Sequence, residues 1–133
     1  MRIVIDTNVV ASGVFFGGKP QELLLLAING NLETYVSKEI VIEYLEIIER
    51  LAKKYPDRPK KLPLEPFISS CIQIEPERKI SVCRDIDDNK FLECALESKC
   101  FYVVSGDDDL LSLEKFENVE IITVAEFFNR LEK

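Results

Sequence analysis

Histidine is absent from this chain of 133 residues. Its absence excludes Ser-His and Cys-His catalysis, and it excludes every metal site that depends on imidazole ligands. Any chemistry of this protein must therefore use carboxylates, hydroxyls, lysine or a bound ion.

Long apolar runs and paired cysteines are also missing. No apolar run approaches the ~20 residues that span a bilayer, and no charged-then-apolar leader precedes the first predicted strand. We therefore expect a cytoplasmic protein without membrane contact. The four cysteines include no C-x-x-C pair, which favours free, buried thiols over zinc binding or redox work.

Positive charge is scarce, with 17 lysines and arginines against 24 acidic residues and a net charge of −7. This balance is unfavourable for nucleic-acid binding, which depends on basic side chains. Six of the basic residues, however, fall within a short segment: Arg50, Lys53, Lys54, Arg58, Lys60 and Lys61. The segment is either a face for a polyanion or a solvated helix end and loop.

Strand-like and helix-like segments alternate along the chain. This pattern predicts an α/β fold with a mostly parallel sheet, and the length and composition predict one domain, residues 1–133. The predicted strands are 2–5, 33–36, 79–83, 101–105 and 119–122. The predicted helices are 8–14, 20–29, 38–54 after a Ser37 cap, 64–73, 88–98, 108–115 and a last helix with a Thr123/Glu126 capping box.

Four acidic residues fall where a parallel sheet would gather them at one edge. Asp6 and Asp107 follow predicted strands, whereas Glu43 and Asp88 lie in the early turns of predicted helices. Because right-handed crossovers bring the carboxyl ends of strands to one edge, we expect these acids to converge there. Oxygen ligands select hard cations, so the predicted site binds Mg²⁺ or Mn²⁺.

Each acid also has a purely structural alternative. Asp6 and Asp107 are suitable helix caps, and Asp88 could stabilise a helix dipole. Glu43 has no basic residue four positions along its helix, and an unpaired acid beside an apolar face requires a positive partner. The run from Asp107 to Asp109 would repel itself on one surface, and it is open whether Asp109 joins or replaces Asp107 as a metal ligand.

The motifs around these acids resemble the PIN-domain ribonucleases, in particular the VapC-like toxins of type II toxin-antitoxin pairs. The resemblance rests on Ile3-Val4-Ile5-Asp6-Thr7-Asn8, on Glu43, on Asp88-Asn89-Lys90-Phe91-Leu92 and on Val103-Val104-Ser105-Gly106-Asp107. It implies a PIN-like three-layer fold, a central mostly parallel sheet flanked by helices.

This resemblance implies a metal-dependent endoribonuclease that cleaves single-stranded RNA. Asp6, Glu43, Asp88 and Asp107 would be catalytic and would bind the metal, with Asn8 and Ser105 in supporting positions. Arg50, Lys53 and Lys54 would contact RNA. A cognate antitoxin and a homodimer are the implied partners. The alternatives are a non-catalytic binding module of the same fold, or a Mg²⁺-dependent phosphotransfer or phosphatase domain with Asp6 as nucleophile.

Overall fold

A six-stranded sheet forms the centre of the computed structural model, which describes residues 1–132. The strands are β1 (Arg2–Ile5), β2 (Glu33–Val36), β3 (Ile72–Gln73), β4 (Tyr102–Val104), β5 (Lys115–Phe116) and β6 (Val119–Ile122). They are arranged in the order β3-β2-β1-β4-β6-β5, and only β5 pairs in the antiparallel direction. The predicted α/β class with a mostly parallel sheet is confirmed.

Helices flank this sheet in the predicted three-layer arrangement. They are α1 (Thr7–Phe15), α2 (Gly18–Ile28), α3 (Lys38–Lys54), α4 (Leu64–Ser70), α5 (Asn89–Glu97), α6 (Asp108–Leu111) and α7 (Val124–Leu131), with a 3₁₀ turn at Ile86–Asp88. Helix α5 packs against β1, β2 and β4, while α1 packs against α2 and α3. Among residues 1–132, no helix has the length and apolar character that crossing a membrane requires.

The centre of the core is β1, whose residues Ile3, Val4 and Ile5 are fully buried. Tyr44 of α3 and Phe91 of α5 are buried with them, and burying each such side chain contributes about 1.5–3 kcal/mol. The hydroxyl of Tyr44 donates a hydrogen bond to the backbone oxygen of Ile5. This bond fixes α3 to the carboxyl end of the central strand, next to Asp6.

Two predicted helix caps are confirmed. The Ser37 hydroxyl accepts a hydrogen bond from the amide of Ile40 at the start of α3. Thr123 and Glu126 form a reciprocal capping box at the start of α7. Both caps satisfy amide groups that would otherwise lack a partner in the first helical turn.

The predicted strand at 79–83 is wrong, because these residues form an irregular segment. Their amides are bonded by side chains of α5 instead of a neighbouring strand. Asn89 Oδ1 accepts from the amides of Val82 and Cys83 at 3.1 and 3.0 Å, and Glu93 Oε2 accepts from Ile80 at 2.9 Å. The segment is therefore fixed along the helix that follows Asp88.

Two predicted helices are too long. The helix predicted at 64–73 ends at Ser70, and the next residues form the edge strand β3 beside β2. The helix predicted at 108–115 is the single turn α6, followed by a tight hairpin of β5 and β6. Glu114 and Glu117 adopt positive φ angles of 62° and 54° around β5, which an α-helix cannot accommodate.

The four cysteines are free thiols, as the sequence predicted, although only two of them are fully buried. Cys94 and Cys100 are buried, and Cys71 and Cys83 are partly exposed. Burial raises the pKa of Cys71, Cys94 and Cys100 to about 12 and that of Cys83 to about 11. Thiolate chemistry is therefore unfavourable at all four positions.

Candidate active site

Asp6 lies at the carboxyl end of β1 and is only 4% exposed. Its amide donates to the backbone oxygen of Val104 at 2.9 Å, which continues the pairing of β1 with β4. Although Asp6 occupies the N-cap position of α1, its side chain makes no capping hydrogen bond. Its Oδ2 instead accepts from the buried hydroxyl of Ser105 at 2.7 Å. Capping therefore does not explain this buried carboxylate.

Ser105 also connects Asp6 to Asp107. The Ser105 hydroxyl oxygen accepts from the amide of Asp107 at 3.0 Å while the hydroxyl donates to Asp6. Asp107 Oδ1 accepts from the amide of Asp109 at 2.9 Å and so caps α6. The capping alternative therefore accounts for one oxygen of Asp107. The serine holds the ends of two neighbouring parallel strands, and their acids, in a fixed relation.

Asp88 ends the 3₁₀ turn that precedes α5 and is 7% exposed. Its side chain does not cap α5, and its buried Oδ2 has no hydrogen-bond partner within residues 1–132. The structural task in this turn belongs to Asp85, whose carboxylate accepts from the amide of Asp87 at 3.0 Å. A buried oxygen without a partner is costly, which favours a missing positive or donor group beside Asp88.

Glu43 reaches the same edge from α3. The helix periodicity predicted that Glu43 would be unpaired, but the structure gives its carboxylate two partners. Its Oε1 lies 2.8 Å from Nζ of Lys90, and its Oε2 accepts from the Thr7 hydroxyl. Thr7 directly follows Asp6, so the glutamate side chain does reach the sheet edge. The sequence did not predict this ion pair, because Lys90 belongs to α5 and contacts Glu43 only when α3 and α5 pack together.

The charges of these four acids act on one another, and we refer to Asp6, Glu43, Asp88 and Asp107 as the acidic cluster. Burial, followed by the charges of Asp107 and Glu43, raises the pKa of Asp6 to about 6 against the lowering effect of the Ser105 bond. Burial, followed by the charges of Asp6 and Asp107, raises the pKa of Asp88 to about 7. The cluster therefore carries more negative charge than its surroundings compensate.

Asp109 is turned towards another partner. Its Oδ1 lies 3.0 Å from Arg84 Nη1, and its side chain is 44% exposed. The charge of Asp109 is not among those that raise the pKa of Asp6 or Asp88. The structure therefore joins Asp107, rather than Asp109, to the cluster.

The predicted supporting and RNA-contacting residues lie at different distances from the cluster. Asn8 is exposed and lines a groove with Ser105 and Gly106 beside it. Arg50, Lys53 and Lys54 lie near the far end of α3, and Lys53 is about 15 Å along the helix axis from Glu43. Lys53 forms an ion pair with Glu49 at 2.9 Å. These three residues are therefore not part of the cluster itself.

The cluster fits a hard divalent cation in chemistry, although its side chains do not form a closed cage. Within residues 1–132, no three acidic side chains converge closely enough to coordinate one ion together. Mg²⁺ does not require such a cage, because it usually binds one or two carboxylates and keeps several waters. The partnerless oxygen of Asp88 and the mutual repulsion of the aspartates favour a cation here. The ligand set stays a prediction.

Four residues missed by the sequence analysis shape this site. Thr7 and Lys90 bind Glu43, Asn89 holds the segment before Asp88, and Arg84 withdraws Asp109. Three of them adjoin predicted acids in the sequence motifs, namely Asp6-Thr7 and Asp88-Asn89-Lys90. Their closeness to the predicted acids in the sequence could have indicated a role in the site. Their contact partners could not be predicted, because those partners lie in other helices and loops.

Stability in excess chelator is expected to rise as the pH falls from 7.5 to 5.5. The folded pKa values of Asp6 and Asp88, about 6 and about 7, lie above the unfolded value of 3.8. Ionised aspartates therefore destabilise the fold above pH 7, and this cost disappears as they take up protons. The gain should be on the order of 2 kcal/mol, or roughly 5–10 °C in Tm.

Because the chain contains no histidine, few groups other than these two aspartates titrate between pH 5.5 and 7.5, and the change in Tm can be assigned to them. Thermal unfolding at both pH values would be compared for the wild type, Asp88→Asn and the exposed control Asp57→Asn. Asp88→Asn should flatten the pH dependence and Asp57→Asn should preserve it. A wild-type Tm that does not change between the two pH values would contradict the electrostatic description of the cluster.

The chain is similar to known proteins in both sequence and fold. The PIN domain profile matches residues 2–109, a range that contains all four acids of the cluster. The chain therefore belongs to the PIN domain family, whose members are typically nucleases. The family resemblance predicted from the sequence is confirmed.

Two similar proteins extend this comparison. The chain is 33% identical to the uncharacterized protein MJ1680 of Methanocaldococcus jannaschii over 145 aligned positions, covering 100% of this chain and 93% of the relative. In fold, it is similar to a chain in the crystal structure of VapBC2 from Rickettsia felis bound to a DNA fragment from their promoter. The TM-score is 0.61 at 11% identity, with 92% of this chain and 98% of the other covered.

Proposed function

We propose that this protein is a divalent-metal-dependent endoribonuclease that cleaves single-stranded RNA. The observation that carries the proposal is the buried Oδ2 of Asp88, which has no hydrogen-bond partner within residues 1–132 and belongs to the acidic cluster at the carboxyl edge of the sheet. In open α/β folds this edge is where ligands bind. Membership of a family of nucleases supports the reaction class. The choice of single-stranded RNA rests on the family resemblance.

Asp6, Asp88 and Asp107 would bind Mg²⁺ or Mn²⁺, with one or two of these carboxylates on the ion and the rest acting through its waters, and Glu43 would lie beside them. The ion would supply an acidified water and stabilise negative charge on the phosphate. Ser105 fixes Asp6 and Asp107 relative to each other through one hydroxyl. Asn89 donates to the backbone oxygen of Ile86 in the turn that carries Asp88, and it accepts two amide hydrogen bonds from the segment before that turn. These bonds keep the carboxylates in place without a histidine.

Surface depressions adjoin the cluster on two sides, which suits an extended strand crossing the sheet edge. Asn8, Ser105 and Gly106 line one depression, while Asp87 and Lys90 line the other. The substrate backbone would continue towards Arg50, Lys53 and Lys54 on α3. Those side chains are too far from the cluster to act on the scissile phosphate, so their contribution would be to affinity.

Purified protein is expected to cleave an unstructured RNA oligonucleotide when Mg²⁺ or Mn²⁺ is added and to stop when EDTA exceeds the metal. Readdition of Mn²⁺ should restore cleavage, because the protein residues alone provide no group to replace the ion. The products would be resolved on a denaturing gel, with a hairpin of the same sequence and a DNA strand as substrate controls. Cleavage that continues in excess EDTA would refute the metal assignment.

A toxin role with an antitoxin partner is a further part of this proposal. The fold is similar to a chain of VapBC2, a complex that was crystallised with promoter DNA, and this likeness is what supports it. The homodimer is proposed from the family resemblance alone. A non-catalytic binding module would instead bind RNA without metal-dependent cleavage. A phosphotransfer domain would form a phospho-aspartate at Asp6, which trapping with a phosphoryl donor would detect.

A further inference from the structure

Lys90 is held beside the acidic cluster, against Glu43, by three contacts. Its Nζ lies 2.8 Å from Glu43 Oε1 and donates to the backbone oxygen of Asp87 at 2.5 Å. The same Nζ lies 5.1 Å from the ring centroid of Phe91. The side chain is only 12% exposed. A solvated surface lysine would not have its ammonium group fixed from three directions in this way.

Glu43 has little capacity left for a metal ion because both of its oxygens are engaged. Lys90 neutralises Oε1, and the Thr7 hydroxyl donates to Oε2. A divalent cation at Oε1 would have to displace the ammonium group or lie against it. Like charges at such a distance repel each other strongly in a partly buried site. The Lys90 ammonium group is therefore the cation that neutralises Glu43 in this structure.

The three aspartates of the cluster, in contrast to Glu43, have no cationic side chain paired with them within residues 1–132. Asp88 Oδ2 is buried without a partner, and among the acids of the cluster only Glu43 forms an ion pair within residues 1–132. The negative charge that remains is concentrated on Asp6, Asp88 and Asp107. A cation entering the site would be attracted to this side.

We propose that the Lys90 ammonium group occupies the cation position beside Glu43, so that the cluster binds one divalent ion, on the side where Asp6, Asp88 and Asp107 lie. This inference rests on the proposed function, since it assumes that the cluster binds metal. Lys90 is here a positioning residue that keeps Glu43 oriented and charge-balanced. Its removal would open a second cation position at Glu43.

Mn²⁺ binding stoichiometry tests this arrangement without using activity. Isothermal titration of the purified wild type with MnCl₂ is expected to give one ion per chain. Lys90→Met keeps the apolar stem but removes the charge, and it should double the stoichiometry to two. Lys90→Arg should restore one ion. The exposed Lys79, which lies 3.9 Å from Glu39, provides the matched control Lys79→Met, with one ion expected.

Each outcome has a distinct meaning. Two ions in the wild type, or one ion in a folded Lys90→Met variant, would overturn the role of Lys90. No Mn²⁺ binding by the wild type would overturn the proposed function as well. Should Lys90→Met fail to fold by circular dichroism, the double variant Glu43→Gln/Lys90→Met removes the unpaired glutamate and should bind one ion. Two ions in the double variant would equally overturn the proposal.

Discussion

Asp6→Asn is expected to reduce metal-dependent RNA cleavage by at least about 100-fold, equivalent to ~2.7 kcal/mol of transition-state stabilisation. The substitution keeps the shape of the side chain and an oxygen that can accept the Ser105 hydrogen bond. It removes the negative charge that lies at the end of the central strand, where the ion would bind. Initial rates at saturating Mn²⁺ would measure the effect.

The same substitution should not destabilise the fold. Because burial and neighbouring charges raise the pKa of Asp6 from 3.8 to about 6, the ionised carboxylate present at pH 7.5 destabilises the folded state. A neutral amide relieves that cost, so the Tm in EDTA should equal or exceed that of the wild type. Asp57→Asn, at an exposed loop position, is the matched control for both measurements. A stable Asp6→Asn variant that cleaves at the wild-type rate would remove Asp6 from the mechanism.

The sequence predicted the central part of the fold well because the signals there are local. The β-branched run from Ile3 to Ile5 is a buried strand, and Asp6 follows it at the sheet edge. Strand alternation with helices then places Asp107 at the same edge, shortly after the end of the neighbouring strand β4. Acids that follow neighbouring parallel strands lie close together at one sheet edge, so their positions in the sequence are enough to predict that they are neighbours.

The sequence failed where side chains from distant elements replace local hydrogen bonds. Ile80 and Val82 alternate with polar residues as in a strand, yet Glu93 and Asn89 bind the amides of this segment. Only Ile80 is buried, and Val82 is exposed. Alternation reports which side chains could be buried, but it does not report what the backbone amides contact.

The charge pairing of the site was inaccessible for the same reason. Helical spacing compares Glu43 with residues three or four positions away, whereas its actual partner Lys90 is on another helix. Asp109 is bound to Arg84, which precedes it by 25 residues. Ion pairs between elements depend on packing distances of a few ångströms, and these follow only from the folded chain.

Changing each aspartate of the run 107–109 to asparagine should affect the rate of RNA cleavage differently at each position. Asp107→Asn is expected to reduce cleavage by at least about 100-fold, because Asp107 is the member whose charge acts on Asp6 and Asp88. Asp108→Asn should cleave at the wild-type rate, since its side chain is exposed. Asp109→Asn should lose only its ion pair with Arg84, changing the rate by less than about threefold.

Asparagine also separates the metal role of Asp107 from its capping role. Asn is as favourable an N-cap as Asp, so Asp107→Asn should preserve α6 and the Tm while it removes the charge. Asp107→Ala removes both, so it should lower the free energy of unfolding by roughly 1 kcal/mol, seen as a lower Tm, and reduce cleavage no further than Asp107→Asn does. Full activity of Asp107→Asn together with loss in Asp109→Asn would transfer the metal role to Asp109. Equal losses at all three positions would instead show that the net charge of the run, rather than one carboxylate, controls cleavage.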